Sequence, residues 1–244
     1  MRFSWDYPKE GPYDPFWGVR TSTIDWCEEN YLLSPYFAEF INTITNAVFI
    51  GLAIYTIRNV IRQGHETRFL VIALGFGMVG AGSWLFHMTL KYEFQLMDEL
   101  PMIYATCVPS WSLLSYNISD SASGWLAAFF VFVAAAVTAV YLRLRDPIFH
   151  QAAYAILTAT VLFRSIYLMV TEVKEDRARK DMIKTMLIGI FMFLAGFILW
   201  IIDNEACEYL RASRRQWGLP WAFLLEFHGL WHGAFLPFLH SADV

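Results

Sequence analysis

The sequence predicts an all-α, polytopic membrane protein, a bundle of seven transmembrane helices. Hydrophobic residues make up 57% of the 244 residues, and only 16% are charged. An ordinary soluble domain has about 25% charged residues, so this composition is typical of a membrane protein. The formal net charge of -4 gives no reason to expect a nucleic-acid partner.

Seven apolar segments are long enough to cross a bilayer, which takes about 20 mostly apolar residues. They run approximately over residues 36–61, 69–90, 97–116, 124–142, 148–170, 182–202 and 219–239. Short polar connections such as "NISDSASG" and "LRLRDP" separate them. Because there is no repeat and no linker, we expect one membrane domain over residues 1–244, in which residues 1–35 form a polar cap outside the bilayer.

Several polar residues of this bundle are expected at one depth. With seven spans, odd helices begin and even helices end on the side of the N-terminus. His87 then lies near the end of the second helix and Asp98 near the start of the third. His228 and His232 lie in the first half of the seventh helix. The acidic segment "DWCEEN" (25–30) precedes the first helix on the same face.

The segment "FHGLWHG" carries two histidines four residues apart, on one helix face. His228 and His232 are either interior histidines that bond neighbouring helices or a two-pronged metal clamp. His87, at matching depth on another helix, favours the clamp, because ionisable residues within spans usually mark function. Three histidines with an open fourth position are typical of catalytic zinc, although imidazole also suits copper, iron or nickel.

Two further residues are candidates for chemistry at this site. Ser83 shares a helix face with His87 and is either a small packing residue or a hydroxyl donor to a developing oxyanion. Asp98 is either an acid favoured at a helix N-terminus or the general base for the water at the metal. Glu99 competes for the second role. Successive helical residues diverge by about 100°, so only one of these two acids can face the metal.

The order S-x-x-x-H, Asp, H-x-x-x-H over seven spans resembles the intramembrane hydrolase superfamily that includes alkaline ceramidases and adiponectin receptors. The local strings resemble alkaline ceramidases in particular and follow one another along nearly the whole chain. They are "STIDWCEENY" (22–31), "AEFINTITN" (38–46), "GSWLFHMTLKYEFQLMDELPMIY" (82–104), "DPIFHQ" (146–151), "LWIIDN" (199–204) and "FHGLWH" (227–232). One departure is that the family's last helix usually continues into a cytosolic tail, whereas this chain stops twelve residues after His232.

The resemblance implies a zinc amidase. His87, His228 and His232 would bind zinc, and Ser83 and Asp98 would assist at the water. The substrate would be a ceramide within the bilayer, with phytoceramide and dihydroceramide included. The products would be a sphingoid base and a free fatty acid.

The resemblance also implies a calcium site that supports activity. Its ligands would be Asp25, the backbone carbonyl of Trp26, Glu28, Asn30 and Glu39. Carboxylate, amide and carbonyl oxygens suit a hard cation. The alternative interpretation of this segment is a solvated acidic cap before the first helix.

The prediction of membrane orientation rests on the cysteines. Lysines and arginines divide almost evenly between the two faces, so the positive-inside rule does not decide. Cys27 and Cys207 fall on the face of the N-terminus. A disulfide between them would require an oxidising compartment. We therefore expect a lumenal N-terminus in the membrane of the endoplasmic reticulum or the Golgi.

Two other functions remain open at this point. One is a receptor of the adiponectin-receptor type, with residual lipid hydrolase activity. The other is a transporter or structural seven-helix protein with interior histidines and no zinc. The calcium-type segment before the first helix favours the enzyme.

Overall fold

Regular structure in the computed structural model, which describes residues 5–8 and 13–233, is helical, so the all-α class is confirmed. One isolated bridge, Trp5 with Leu219, is the exception among these residues. The helices in chain order are α1 (Phe40–Thr45), α2 (Ala47–Gln63), α3 (Thr67–Thr89), α4 (Tyr92–Leu114), α5 (Asp120–Leu144), α6 (Pro147–Thr171), α7 (Asp176–Glu205), α8 (Cys207–Trp217), a 3-10 helix (Trp221–Leu225) and α9 (Phe227–Gly233).

Five helical segments are long and apolar enough to cross a membrane: α1 together with α2 (Phe40–Gln63), α3, α5, α6 and α7. They correspond to the first, second, fourth, fifth and sixth predicted spans. Large apolar side chains on them face outward. Phe132, Phe163 and Phe191 are 69%, 69% and 68% exposed. Such surface is rare on a soluble monomer and is expected where a helix faces lipid.

The third predicted span is a helix, but it is more polar than the five. α4 contains Glu93, Asp98 and Glu99, and it has Pro101 and Pro109 in its interior. Helix-breaking residues are tolerated in membrane helices when neighbours satisfy the freed backbone groups. α4 begins at Tyr92 and not near residue 97. Asp98 consequently lies in the second helical turn rather than at the helix start.

The seventh predicted span, residues 219–239, is described only in its first part. That part is the 3-10 helix Trp221–Leu225 followed by the seven-residue helix α9. Residues after 233 lie outside the described structure. The count of seven spans therefore stays a prediction.

The chain divides into two compact units. The first comprises Met1–Leu52, Gly80–Asp98 and Ile188–Val244, and the second comprises Ala53–Val79 and Glu99–Leu187. The core of the first includes Tyr31, Ala38, Phe86 and Leu90. The core of the second comes from α4, α5 and α6: Ile103, Cys107, Phe130 and Leu157. The prediction of a single domain is not tested by this division.

In the first unit, the segment before α1 is bonded to the end of α3. The backbone N–H of Ala38 donates to the carbonyl of Met88 (2.9 Å), and that of Glu39 donates to the carbonyl of His87 (2.9 Å). The Leu90 carbonyl, just after α3, accepts from Ser22 N–H at 3.1 Å. These bonds bring the Glu39 side chain beside the His87 ring.

α3 and α4 approach closely at Gly82. A Cβ placed on Gly82 would overlap with the backbone carbonyl of Met97 and lie 2.8 Å from the backbone nitrogen of Asp98. Only a residue without a side chain allows this approach. Ser83 and Asp98 are thereby brought to the same contact between helices.

We expect Gly82→Ala to destabilise the protein by about 1–3 kcal/mol, because the backbone of α4 must move to accept the methyl group. The matched control is Gly51→Ala. Gly51 is also helical, and a Cβ there would meet nothing within 4 Å. Thermal unfolding of both variants in detergent checks the prediction. Equal unfolding temperatures for the two variants would contradict it.

Candidate functional site

Three buried imidazoles from two helices meet in the first unit. His87 comes from the last turn of α3, and His228 and His232 come from α9. Their metal-ligating atoms all lie within 4.8 Å of one another. The ring centroids are 5.0 Å apart for His87 and His228, 5.2 Å for His87 and His232, and 4.8 Å for the pair on α9.

The donor set fits a metal ion. Nδ1 of His87 lies 2.5 Å from Oε2 of Glu39, and Nδ1 of His232 lies 3.0 Å from the Thr45 hydroxyl. In both rings Nε2 is left as the nitrogen available to a metal. Nδ1 of His228 is buried without a hydrogen-bond partner. Leaving such an atom unsatisfied costs about 1–3 kcal/mol, so a cation at this point would stabilise the arrangement.

Glu39 fixes the His87 ring from behind. Its side chain is fully buried, and Oε1 accepts from the backbone N–H of Trp26 (3.1 Å). Oε2 also accepts from Nδ2 of Asn42 (3.1 Å). A carboxylate bonded to the second ring nitrogen sets the tautomer of a metal-ligating histidine and raises its basicity.

α9 is packed closely against its neighbours. The ring of Trp26 lies 4.2 Å from that of His228, and Phe49 lies 5.8 Å from His232. A Cβ on Gly229 would come within 2.7 Å of Cγ2 of Ile41, so α1 and α9 are in near contact there. The site is thus enclosed by aromatic side chains and by α1.

The two candidate catalytic residues lie on the helices that meet at Gly82. Ser83 is buried one turn before His87, and Asp98 is half-buried on α4. Glu99, the alternative to Asp98, has its carboxylate bonded to the hydroxyl of Tyr141. The roles of Ser83 and Asp98 stay predictions.

Of the predicted calcium ligands, Asp25 lies near the surface, whereas Glu28 and Glu39 are buried. Asp25 accepts a hydrogen bond from Nδ2 of Asn30 (3.0 Å) and pairs with Arg20 (2.7 Å) near the surface. Glu28 accepts from two backbone N–H groups in the first turn of α1, those of Ile41 (2.7 Å) and Asn42 (2.8 Å).

Trp26 and Glu39 connect this segment to the histidines, since Trp26 N–H bonds Glu39. Burial raises the pKa of Glu28 to about 8, although its two backbone hydrogen bonds act in the opposite direction. A nearby cation would favour the ionised carboxylate. The calcium assignment stays a prediction.

A disulfide joins Cys27 to Cys207. It connects the segment that carries Trp26 to the first residue of α8. The sequence analysis had left this pairing open, because the distance between thiols cannot be read from sequence.

Sequence reasoning missed two features of the site. It treated Glu39 only as a calcium ligand and did not foresee its contact with His87. It also overlooked Arg214, a fully buried arginine on α8, whose partners include Asp203 and Glu226. The sequence did contain a signal for a buried cation, because acids such as Asp203 and Glu226, in or beside apolar segments, need a positively charged partner.

Comparison with known proteins identifies the same family by a family model and by individual relatives. The family model described as Ceramidase matches residues 18–235. An alkaline ceramidase of Saccharomyces cerevisiae is 40% identical over 243 residues, covering 94% of this chain and 77% of the relative. Alkaline ceramidase 3 of Mus musculus is 39% identical, with 93% and 85% covered. An alkaline ceramidase of Arabidopsis thaliana is 33% identical, with 89% and 79% covered.

We expect Glu39→Ala to lower the zinc affinity of the purified protein by about 10–100-fold, because the His87 ring loses the carboxylate that orients it. Thr45→Val should also lower the zinc affinity, because the His232 ring loses its hydrogen bond with the Thr45 hydroxyl. Competition with a chromophoric chelator measures both. Thr89→Val is the control, since that hydroxyl lies on the same helix as His87 and donates to the Leu85 carbonyl (2.8 Å). Unchanged affinity in Glu39→Ala would contradict the role of Glu39.

Proposed function

Because the chain belongs to the alkaline ceramidase family, we propose that it is an intramembrane zinc amidase that cleaves ceramide into a sphingoid base and a free fatty acid. Family membership makes it a multi-pass membrane hydrolase of amide bonds. The observation that carries the zinc assignment is the buried triad of His87, His228 and His232, whose ligand atoms lie within 4.8 Å of one another.

The membrane segments suit such a substrate. Ceramide is too apolar to leave the bilayer unaided, and five helical segments of this chain can cross a bilayer. The substrate would therefore enter sideways from the lipid, while water would reach the site from the side of the N-terminus. Phytoceramide and dihydroceramide carry the same scissile amide and are included in the proposal.

The residues around the triad have distinct roles in the proposed reaction. A bound zinc ion supplies Lewis acidity toward the amide carbonyl and makes water nucleophilic near neutral pH. The Asp98 carboxylate accepts the proton of the attacking water and transfers it to the leaving amine nitrogen. The Ser83 hydroxyl donates a hydrogen bond to the carbonyl oxygen as that oxygen gains negative charge.

Calcium would support this site through the segment before α1. The proposed ligands are Asp25, the Trp26 carbonyl, Glu28, Asn30 and Glu39. Trp26 and Glu39 also contact the triad, the first through the His228 ring and the second through His87. A cation held by these oxygens would thus fix the residues that orient two zinc ligands.

A signalling receptor of the adiponectin-receptor type is the second candidate function. The same triad would serve its residual lipid hydrolysis. The acidic segment 25–30, bonded to α1 and to the residue that orients His87, favours the enzyme.

We propose seven membrane spans with a lumenal N-terminus, in the endoplasmic reticulum or the Golgi. α4 would supply the third span and the segment beginning near residue 219 the seventh, in addition to the five already described. The disulfide between Cys27 and Cys207 supports the lumenal side, because disulfides persist in oxidising compartments.

His232→Ala should reduce ceramide hydrolysis to less than about 1% of wild type and remove stoichiometric zinc, because two imidazoles do not complete the site. The control is His65→Ala, which changes an exposed loop histidine bonded to Gln63. This variant should keep wild-type ceramide hydrolysis and stoichiometric zinc. The assay uses detergent micelles with ceramides, dihydroceramides and phytoceramides, with and without chelator. Full hydrolysis by His232→Ala would refute the mechanism.

Asp25→Ala should raise the calcium concentration needed for half-maximal activity at least about tenfold, because ligand charge sets calcium affinity. Its zinc content should be unchanged. Asp14→Ala removes an exposed acid of the same N-terminal segment and serves as the control. A calcium response of Asp25→Ala identical to that of Asp14→Ala would remove the calcium site from the account.

A further inference from the structure

Arg214 is a fully buried arginine at the centre of a polar cluster in the first unit. It lies on α8, near the end of the helix. Its guanidinium donates to the carbonyl of Cys27 (2.9 Å) and to Glu29 (3.1 Å). Nε (3.3 Å) and Nη2 (3.0 Å) both donate to the carbonyl of Leu225.

Three carboxylates surround this one cation. Glu226 pairs with it at 2.6 Å, Glu29 at 3.1 Å and Asp203 at 3.8 Å. All three acids are buried, and Tyr7 donates a hydrogen bond to Glu29 (2.8 Å). Buried charges of this kind are retained only with good geometry, and removing one partner is strongly destabilising. The cluster therefore holds the guanidinium in one position.

The partners of Arg214 come from three segments that reach the histidines. Cys27 follows Trp26, whose ring contacts His228. Asp203, near the end of α7, accepts from the backbone N–H of His228 at 3.3 Å. Leu225 and Glu226 are the last two residues before α9 begins.

The position of α9 depends on such contacts. It begins at Phe227, directly after the 3-10 helix Trp221–Leu225 and Glu226. Its start is fixed by the two donors that Arg214 directs at the Leu225 carbonyl and by the ion pair with Glu226. A guanidinium presents its donors in a rigid fork, which a lysine ammonium cannot reproduce.

We infer that Arg214 is a positioning residue of the zinc site. It fixes the start of α9 and, through Asp203, the backbone of His228, and so sets where His228 and His232 present their nitrogens. This inference rests on the proposed zinc function.

The test is Arg214→Lys, which keeps the positive charge among the acids but loses the fork to Leu225. We expect its zinc affinity to fall about 10–100-fold, as for other changes that release a metal-ligating histidine. The visible absorption spectrum of the Co²⁺-substituted protein should change in band position and intensity. In ceramide hydrolysis kcat should fall while KM stays near the wild-type value.

Arg211→Lys is the matched control. Arg211 lies on the same helix and donates to the same Cys27 carbonyl (2.9 Å), but it lies outside the ion pairs with Glu226 and Asp203. We expect its cobalt spectrum, zinc affinity and kcat to equal those of wild type. Glu226→Gln is the second test variant, because it weakens the cluster without changing side-chain size. If Arg214→Lys does not fold, the zinc affinity and the cobalt spectrum of Glu226→Gln test the inference.

The outcomes separate a positioning role from a general structural one. A lower unfolding temperature with unchanged cobalt spectrum and zinc affinity, in Arg214→Lys or in Glu226→Gln, would overturn the inference and leave the proposed function intact. Wild-type protein that binds neither Zn²⁺ nor Co²⁺ stoichiometrically would overturn both. An altered spectrum and weaker zinc binding in the test variants alone would support the inference.

Discussion

Three imidazoles share one small buried volume, and the structure around them depends on that convergence. The ligand atoms of His87, His228 and His232 lie within 4.8 Å of one another. Three buried imidazoles this close together form the kind of ligand set that binds a metal ion. The groups behind the rings, Glu39 and Thr45, bond the opposite nitrogens and keep the rings from turning away. A site of this kind is preorganised, because the ligands are oriented before any ion binds.

The polar residues buried in the first unit serve that preorganisation. The start of α9 is held from several sides, through the disulfide-linked segment before α1, the end of α7 and Arg214 on α8. Burying these charges is costly, and removing one partner of such a pair is strongly destabilising. The same segment carries the proposed calcium ligands, so support of activity by calcium and orientation of the histidines would be one physical effect.

The sequence analysis found the features that have a local pattern. Spacing of four identified His228 and His232, and apolar runs located the five spans. It placed the start of α4 too late, because "YEFQLMDE" (92–99) is polar in composition although it is helical. It missed the contacts of Glu39 with His87, 48 residues apart, and of Arg214 with Cys27, 187 apart. No local periodicity encodes such pairs, and they arise only when the segment before α1 packs against α3 and α8.

The central claim is that the three imidazoles bind one zinc ion, and X-ray absorption at the zinc edge on the purified wild-type protein tests it most directly. We expect one zinc per chain, with three imidazole nitrogens at about 2.0–2.1 Å and a lighter oxygen ligand completing the shell. Sulfur ligands at about 2.3 Å, fewer than three imidazoles around the metal, or the absence of stoichiometric zinc would contradict the account.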